Sequence, residues 1–249
     1  MKNLLIAFPE KTEKERNLIA KKFYHNLIDT FIETIKMISA SKRQISRRFS
    51  GNWEAINKYK DTRSVQLHMG HNFNWEWGNV AGAFQAQLTY LAVYIPIANK
   101  IFSRLFLKLR SRGGTIMLNA TKMAEEFAPY KNRHYLLGLA ADQSPSNPDN
   151  AWWVNFFNKP TAFVKGPAKG AINNNTVVMF GFIHKPRRGH YEAVFELGTE
   201  DPASFTQQDL TAKFVHYMEK VIREYPDMWL WSHRRWKFDW RPEYGPVIE

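Results

Sequence analysis

Residues 65–76 read Val-Gln-Leu-His-Met-Gly-His-Asn-Phe-Asn-Trp-Glu. The apolar positions Val65, Leu67 and Met69 predict a short buried strand, and Gly70 breaks it. His71 follows in the break, and the small residues Gly78, Ala81, Gly82, Ala83 and Ala86 predict a helix packed closely against a sheet. A strand, a sharp turn and a closely packed helix form a unit of the α/β class. Within one helix, His71 and Glu76 would lie about 140° apart and could not pair easily. They can meet only with His71 in the turn and Glu76 in the first helical turn beyond it. That arrangement suits a general base oriented by a carboxylate. An imidazole with its ordinary pKa near ~6.5 can take a proton from a hydroxyl, and the carboxylate fixes its tautomer. Taken alone the spacing is weak evidence, and a polar loop carrying a surface Glu is the commoner origin of such a pair.

The rest of the chain surrounds this unit with helices and strands. Thr12 and Glu15 form a capping-box pattern ahead of a helix over 13–40, with Ile19, Phe23, Leu27, Ile28, Phe31, Ile35 and Ile38 at helical spacing. The helix is read as packing on the domain, with a helix lying on a membrane as the other reading. A basic linker is expected over 42–48, a second strand over 90–95, and a helix over 98–112. On that helix Lys100, Arg104, Lys108 and Arg112 recur at i+4; such like charges repel, so the ridge is expected to face an anion. A short strand near Ile116 and a helix over 120–127 precede a strand over 135–141. That strand delivers Asp142, Gln143 and Ser144 to the carboxyl edge of the sheet, where open α/β sheets place their sites. A helix interrupted at Gly166 and Pro167 is expected over 161–173. A hairpin over 176–184 and 190–197 follows, then a final helix over 206–224 capped by Thr206 and Asp209.

Composition narrows the partners. The 249 residues carry 35 Lys and Arg against 23 Asp and Glu, a formal net charge of +12. No acid occurs between Glu76 and Glu125 or between Asp149 and Glu192, so the charge is concentrated and points to a polyanionic partner. With no cysteine, the chain has no disulfide, thiol nucleophile or Cys-based zinc site. His68 and His71 as zinc ligands are disfavoured because a strand would put them on opposite faces. The most apolar stretch, 88–98, is far shorter than the roughly 18–20 residues that span a bilayer, so no transmembrane helix is expected. Charge alone also allows a nucleic-acid-binding protein, but neither zinc-finger spacing nor an RNP-like aromatic motif supports it.

Five ordered segments resemble the lauroyl and myristoyl acyltransferases of lipid A biosynthesis. They are Ala-Phe-Pro-Glu-Lys at 7–11, His71-x4-Glu76, Tyr-Ile-Pro-x-x-Asn-Lys at 94–100 with Arg104, Ala-Asp-Gln-Ser at 141–144, and Trp-Leu-Trp-Ser-His-Arg-Arg-Trp-Lys at 229–237. The resemblance implies a glycerol-3-phosphate-acyltransferase-like mixed sheet flanked by helices. The expected organisation is one acyltransferase domain over 1–249, with an N-terminal helical segment over 1–50 and a catalytic α/β core over 51–249. It further implies acyl transfer from a thioester, carried by acyl carrier protein or coenzyme A, to a hydroxyl of a phosphorylated glycolipid, with no other cofactor and no metal. His71 then looks like the general base and Glu76 its partner, Arg104 and Arg110 like the cations that hold the acceptor, and Asp142 and Gln143 like an edge motif of the family.

Family members usually carry a membrane helix ahead of the 7–11 segment. In this chain either the start has been trimmed or an anionic membrane surface is bound by cations and aromatics, at the cytoplasmic face of the inner membrane. A departure at Asp-Gln-Ser-Pro, where lipid A enzymes often carry a further acid, leaves open another lipid acceptor, such as an amino-acid lipid or glycerolipid. A non-catalytic anionic-lipid-binding member of the fold remains a further reading. For 229–237 the expectation is structural, with Trp229 and Trp231 alternating as in a strand and Arg234 or Arg235 in a salt bridge; an interfacial patch is the alternative.

Overall fold

The computed structural model describes residues 1–249. Helices α1 (Lys2–Ala7), α2 (Glu13–Met37) and α3 (Lys42–Arg48) lead into strand β1 (Phe49–Gly51) and the short α4 (Glu54–Asn57). Strand β2 (Val65–Met69), α5 (Trp75–Gln85), β3 (Thr89–Tyr94), α6 (Lys100–Arg110), β4 (Ile116–Asn119), α7 (Met123–Phe127) and β5 (Tyr135–Ala140) form the alternating centre. A hairpin of β6 (Ala151–Phe156) and β7 (Lys159–Val164) precedes α8 (Gly166–Asn173), β8 (Val177–Arg187), β9 (His190–Thr199) and α9 (Gln207–Glu224).

Seven strands form one mixed sheet in the order β1-β9-β8-β2-β5-β3-β4. Every neighbouring pair is parallel except the β8-β9 hairpin. Helices cover both faces of the centre, so even the polar residues of β2 are buried: Gln66 and His68 meet side by side at 3.0 Å. Burial without a charged partner pushes the His68 imidazole down to about 3, so it is neutral. The α5 crossover carries the chain from β2 past one strand position to β3, and β5 fills the gap between them.

Two segments differ from the sequence reading. The basic stretch 42–48 is the helix α3, closed by a capping box in which the Ser41 hydroxyl accepts from Gln44 N and the Gln44 side chain accepts from Ser41 N. The 161–173 segment starts as strand and becomes helix only at Gly166. Its partner strand lies immediately before it, joined by a two-residue turn in which Phe157 and Asn158 have φ of 54° and 56°. Both central residues of such a turn are left-handed, and a phenylalanine there carries none of the usual glycine signal.

The face that α2 turns inward is also unlike the expectation. Ile19 and Phe23 pack inward, but from Asn26 onward the inner positions are Asn26, Asp29, Thr30, Glu33 and Thr34, with Met37 at the end. Each polar group finds a partner. Arg188 binds Asp29 through Nε at 3.0 Å and Nη2 at 2.8 Å, and Lys185 Nζ lies 3.5 Å from Asp29. Asn26 donates to the Asp227 carbonyl at 3.0 Å, and Tyr191 and Asn74 donate to Glu33 at 2.6 and 2.9 Å. With its polar face satisfied inside, the helix leaves Ile28, Phe31, Ile32, Ile35 and Ile38 exposed.

Candidate active site

The site forms where β2 and β5 end side by side. Their register pairs Met69 with Ala140, so two residues further on His71 stands opposite Asp142. A Cβ on Gly70 would run into the Met218 methyl group and crowd Asp142 Oδ2 at 3.2 Å. Asp142 Oδ1 accepts a hydrogen bond from His71 Nδ1 at 2.6 Å, and Oδ2 accepts one from the His71 backbone N–H at 2.9 Å. This arrangement holds the tautomer with hydrogen on Nδ1 and makes Nε2 the basic position of the ring. Gln143 lies on that side, its amide 3.4 Å from Nε2. The Trp75 ring meets the imidazole edge to face at 5.5 Å.

Glu76 lies in the first turn of α5, as the spacing required, but its carboxylate is held elsewhere. Arg110 grips it in a two-pronged pair, Nε to Oε2 at 2.9 Å and Nη2 to Oε1 at 2.5 Å, and the Trp75 indole adds a third bond at 3.1 Å. The carboxylate bound to His71 is therefore Asp142, and Glu76 acts on His71 only through its charge. Arg110, expected among the acceptor-binding cations, has two of its nitrogens committed to Glu76. Arg104 is exposed on α6 and takes part in no ion pair.

Burial alone would lower the His71 pKa, but the charge and hydrogen bond of Asp142, aided by Glu76 and opposed by Arg110, hold it above the ordinary value. For Asp142 burial pushes upward, and His71 together with the Trp229 indole outweighs it, bringing the carboxyl down to about 2. Asp142 is thus held as a carboxylate, placed to stabilise a positive charge on His71.

The 229–237 segment braces this pair from behind. Trp229 Nε1 donates to Asp142 Oδ2 at 2.7 Å, and Asn72 pairs with Trp229 as an isolated bridge beyond β2. One residue past Gln143, Ser144 N donates to His233 Nε2 at 3.1 Å and Ser144 Oγ to the Arg235 carbonyl at 2.6 Å. Trp229, Trp231 and Trp236 are buried, which agrees with a structural role for the segment, but it is not the expected strand, since only Trp229 forms an isolated bridge and turns follow, and the expected salt bridge does not form. Arg235 is fully buried and donates instead to the Ala162 carbonyl at 2.8 Å. Burial lowers its pKa to about 9, with Asp142 pulling the other way. The role of Trp229 as a donor to Asp142 escaped the sequence reading; the Trp-x-Trp spacing marked the segment without showing what it touches.

Trp229→Phe keeps an aromatic plane and removes the indole N–H. It is expected to cost about 1.5–3 kcal/mol in a denaturant titration, the range for a hydrogen bond to a charged group. It should also lower kcat more than it raises KM, because Asp142 is then less firmly held. Unchanged stability and rate would show that the indole bond has no part in holding the pair.

The site thus consists of a histidine held by a buried carboxylate at the carboxyl edge of parallel strands, with a second carboxylate clamped by an arginine nearby. The family model for bacterial lipid A biosynthesis acyltransferases matches residues 1–238, and the chain belongs to that family. No curated protein sequence matches the chain. The family match agrees with the resemblance carried by the five ordered segments.

Proposed function

We propose that the protein moves a fatty acyl group from a thioester, carried by acyl carrier protein, to a hydroxyl of a phosphorylated lipid A precursor at the cytoplasmic surface of the inner membrane. The observation that carries this reading is the His71 imidazole, its Nδ1 bound by Asp142 and its Nε2 met only by the Gln143 amide at 3.4 Å. His71 takes the acceptor hydroxyl proton as the oxygen attacks the thioester carbonyl. The tetrahedral intermediate then collapses with formation of the ester, cleavage of the C–S bond and departure of the thiolate, which receives the proton from the His71 imidazolium. A general base of this kind contributes about 10²- to 10⁴-fold, the remainder coming from positioning and charge stabilisation.

In this reading Arg104 meets the acceptor phosphate, since a guanidinium without a protein partner suits a bidentate contact. Arg110 fixes Glu76 beside the base, and Gln143 orients the acceptor hydroxyl near Nε2. The family match favours this enzyme over a non-catalytic lipid- or nucleic-acid-binding protein.

The reading is tested by incubating the purified chain with acyl carrier protein and coenzyme A thioesters, each against a lipid A precursor, a glycerolipid and an amino-acid lipid. The products are identified by mass. The expected product is the precursor with one added acyl ester, formed fastest from acyl carrier protein. An ester formed only on another lipid would move the acceptor, and no product from any pair would overturn the reading.

A further inference from the structure

We propose that the outward faces of α2 and α6 form a docking surface for an anionic lipid bilayer. This deepens the acyltransferase reading by naming the surface that presents the site, and it rests on that reading only for the lipid-borne acceptor. Amphipathic helices of water-soluble folds bury their apolar stripe; over its second half α2 does the reverse. Ile28, Phe31, Ile35 and Ile38 fall three or four residues apart, hence on one side, and are 55%, 60%, 67% and 57% exposed. Ionic and hydrogen bonds to Asp29 and Glu33 hold the opposite face against the protein, so the apolar stripe is fixed outward. No helix is long and apolar enough to cross a membrane; a helix whose apolar stripe faces outward beside exposed cations is suited to lying on one.

A second exposed apolar set lies on α6 and just before it: Ile95, Ile101, Phe102 and Leu105. The two helices are tied to the same catalytic turn. Glu33 of α2 accepts from Asn74, which caps α5, while Arg110 of α6 holds Glu76 in the first turn of α5. The ends of the two helices also meet, where the Arg112 guanidinium donates to the Met37 carbonyl.

Charge identifies the occupant. The only acids between Arg16 and Trp53 are Asp29 and Glu33, and both are buried; none occurs between Glu76 and Glu125. Every exposed charge in these stretches is therefore a cation, including Lys21, Lys22 and Lys36 on α2 and Lys100, Arg104 and Lys108 on α6. Exposed aliphatic and aromatic side chains on two helical stretches whose exposed charges are all cations match the boundary of an anionic membrane. A second copy would bring an identical cationic rim against this one, and each copy carries +12.

The test is sedimentation with phosphatidylcholine vesicles, with and without phosphatidylglycerol, comparing wild type with Ile28→Glu/Ile35→Glu and, separately, Ile101→Glu. Wild type is expected to bind the vesicles containing phosphatidylglycerol, more weakly as salt rises. Each variant should bind at least about tenfold more weakly, because apolar area that enters the lipid is replaced by a charge repelled by it. These side chains are exposed, so thermal unfolding and hydrolysis of a water-soluble acyl thioester should match wild type. Equal vesicle binding by wild type and variants would overturn the proposal. So would a wild-type dimer that the same substitutions dissociate, which would assign the face to a second copy. Vesicle binding lost in the variants, but with no acyl chemistry in wild type, would leave the docking face standing and count against the acyltransferase reading alone.

Discussion

Asp142→Asn is expected to lower kcat for acyl transfer by about 10²- to 10⁴-fold, close to the effect of His71→Ala and with the chain still folded. The carboxylate accepts a hydrogen bond from Nδ1 at 2.6 Å, and an amide in its place can present N–H there and favour the tautomer that blocks Nε2. The pH profile supplies a second readout. In the wild type Asp142 outweighs burial and raises the His71 pKa, so the acid limb of kcat/KM should lie above the ordinary histidine value. Without the negative charge, burial prevails and the limb of the residual activity should shift to lower pH.

Stability gives the same pair an independent signature. Asp142 falls from an ordinary value of 3.8 to about 2, so its contribution is present above the unfolded value and is lost as pH falls through that window. His71 is raised, so its contribution is complete below its unfolded value and is lost as pH rises through its folded one. Wild type should therefore lose more stability than Asp142→Asn between about pH 4 and 2. If Glu76→Gln abolished the raised His71 limb and Asp142→Asn left it in place, the pairing of base and carboxylate described here would be wrong.

Arg110→Ala is expected to destabilise the fold by about 3–5 kcal/mol, because it strands the Glu76 carboxylate without its counter-charge. The Glu76 side chain is 6% exposed and that of Arg110 22%, so water cannot replace both prongs of the pair. Urea unfolding measures the loss, and Arg110→Ala/Glu76→Gln should recover much of it by removing the buried charge. Activity should remain low in the double variant, since Glu76 no longer acts on His71. Arg104→Ala provides the contrast. Its side chain is exposed and outside any ion pair, so stability should change by no more than about 0.5 kcal/mol, while KM for a phosphorylated acceptor rises. A stability loss at Arg104 equal to that at Arg110 would contradict these separate roles.

Local pattern was enough for most elements. The period-two run at 65–69 with Gly70 after it, the Thr12–Glu15 capping box and the Thr206 cap are each written within a few consecutive residues. Residue type and order also sufficed for the family, because the five segments are recognisable without knowing what each touches. The turn at Phe157 and Asn158 was not legible, since its left-handed backbone is imposed by pairing of β6 with β7.

The sequence by itself determined that a strand ends at Gly70 with His71 in the break, that a helix of small residues follows, and that the charge is gathered in acid-free stretches. Tertiary structure alone decided which carboxylate serves the base. Residues 71 and 142 are brought together by the parallel register of β2 and β5, and nothing within either segment specifies its neighbour in the sheet. It likewise decided which side of α2 faces water. Helical periodicity shows that two faces differ; the cations, tyrosine and asparagine that bind the polar face come from distant residues and turn the apolar one outward.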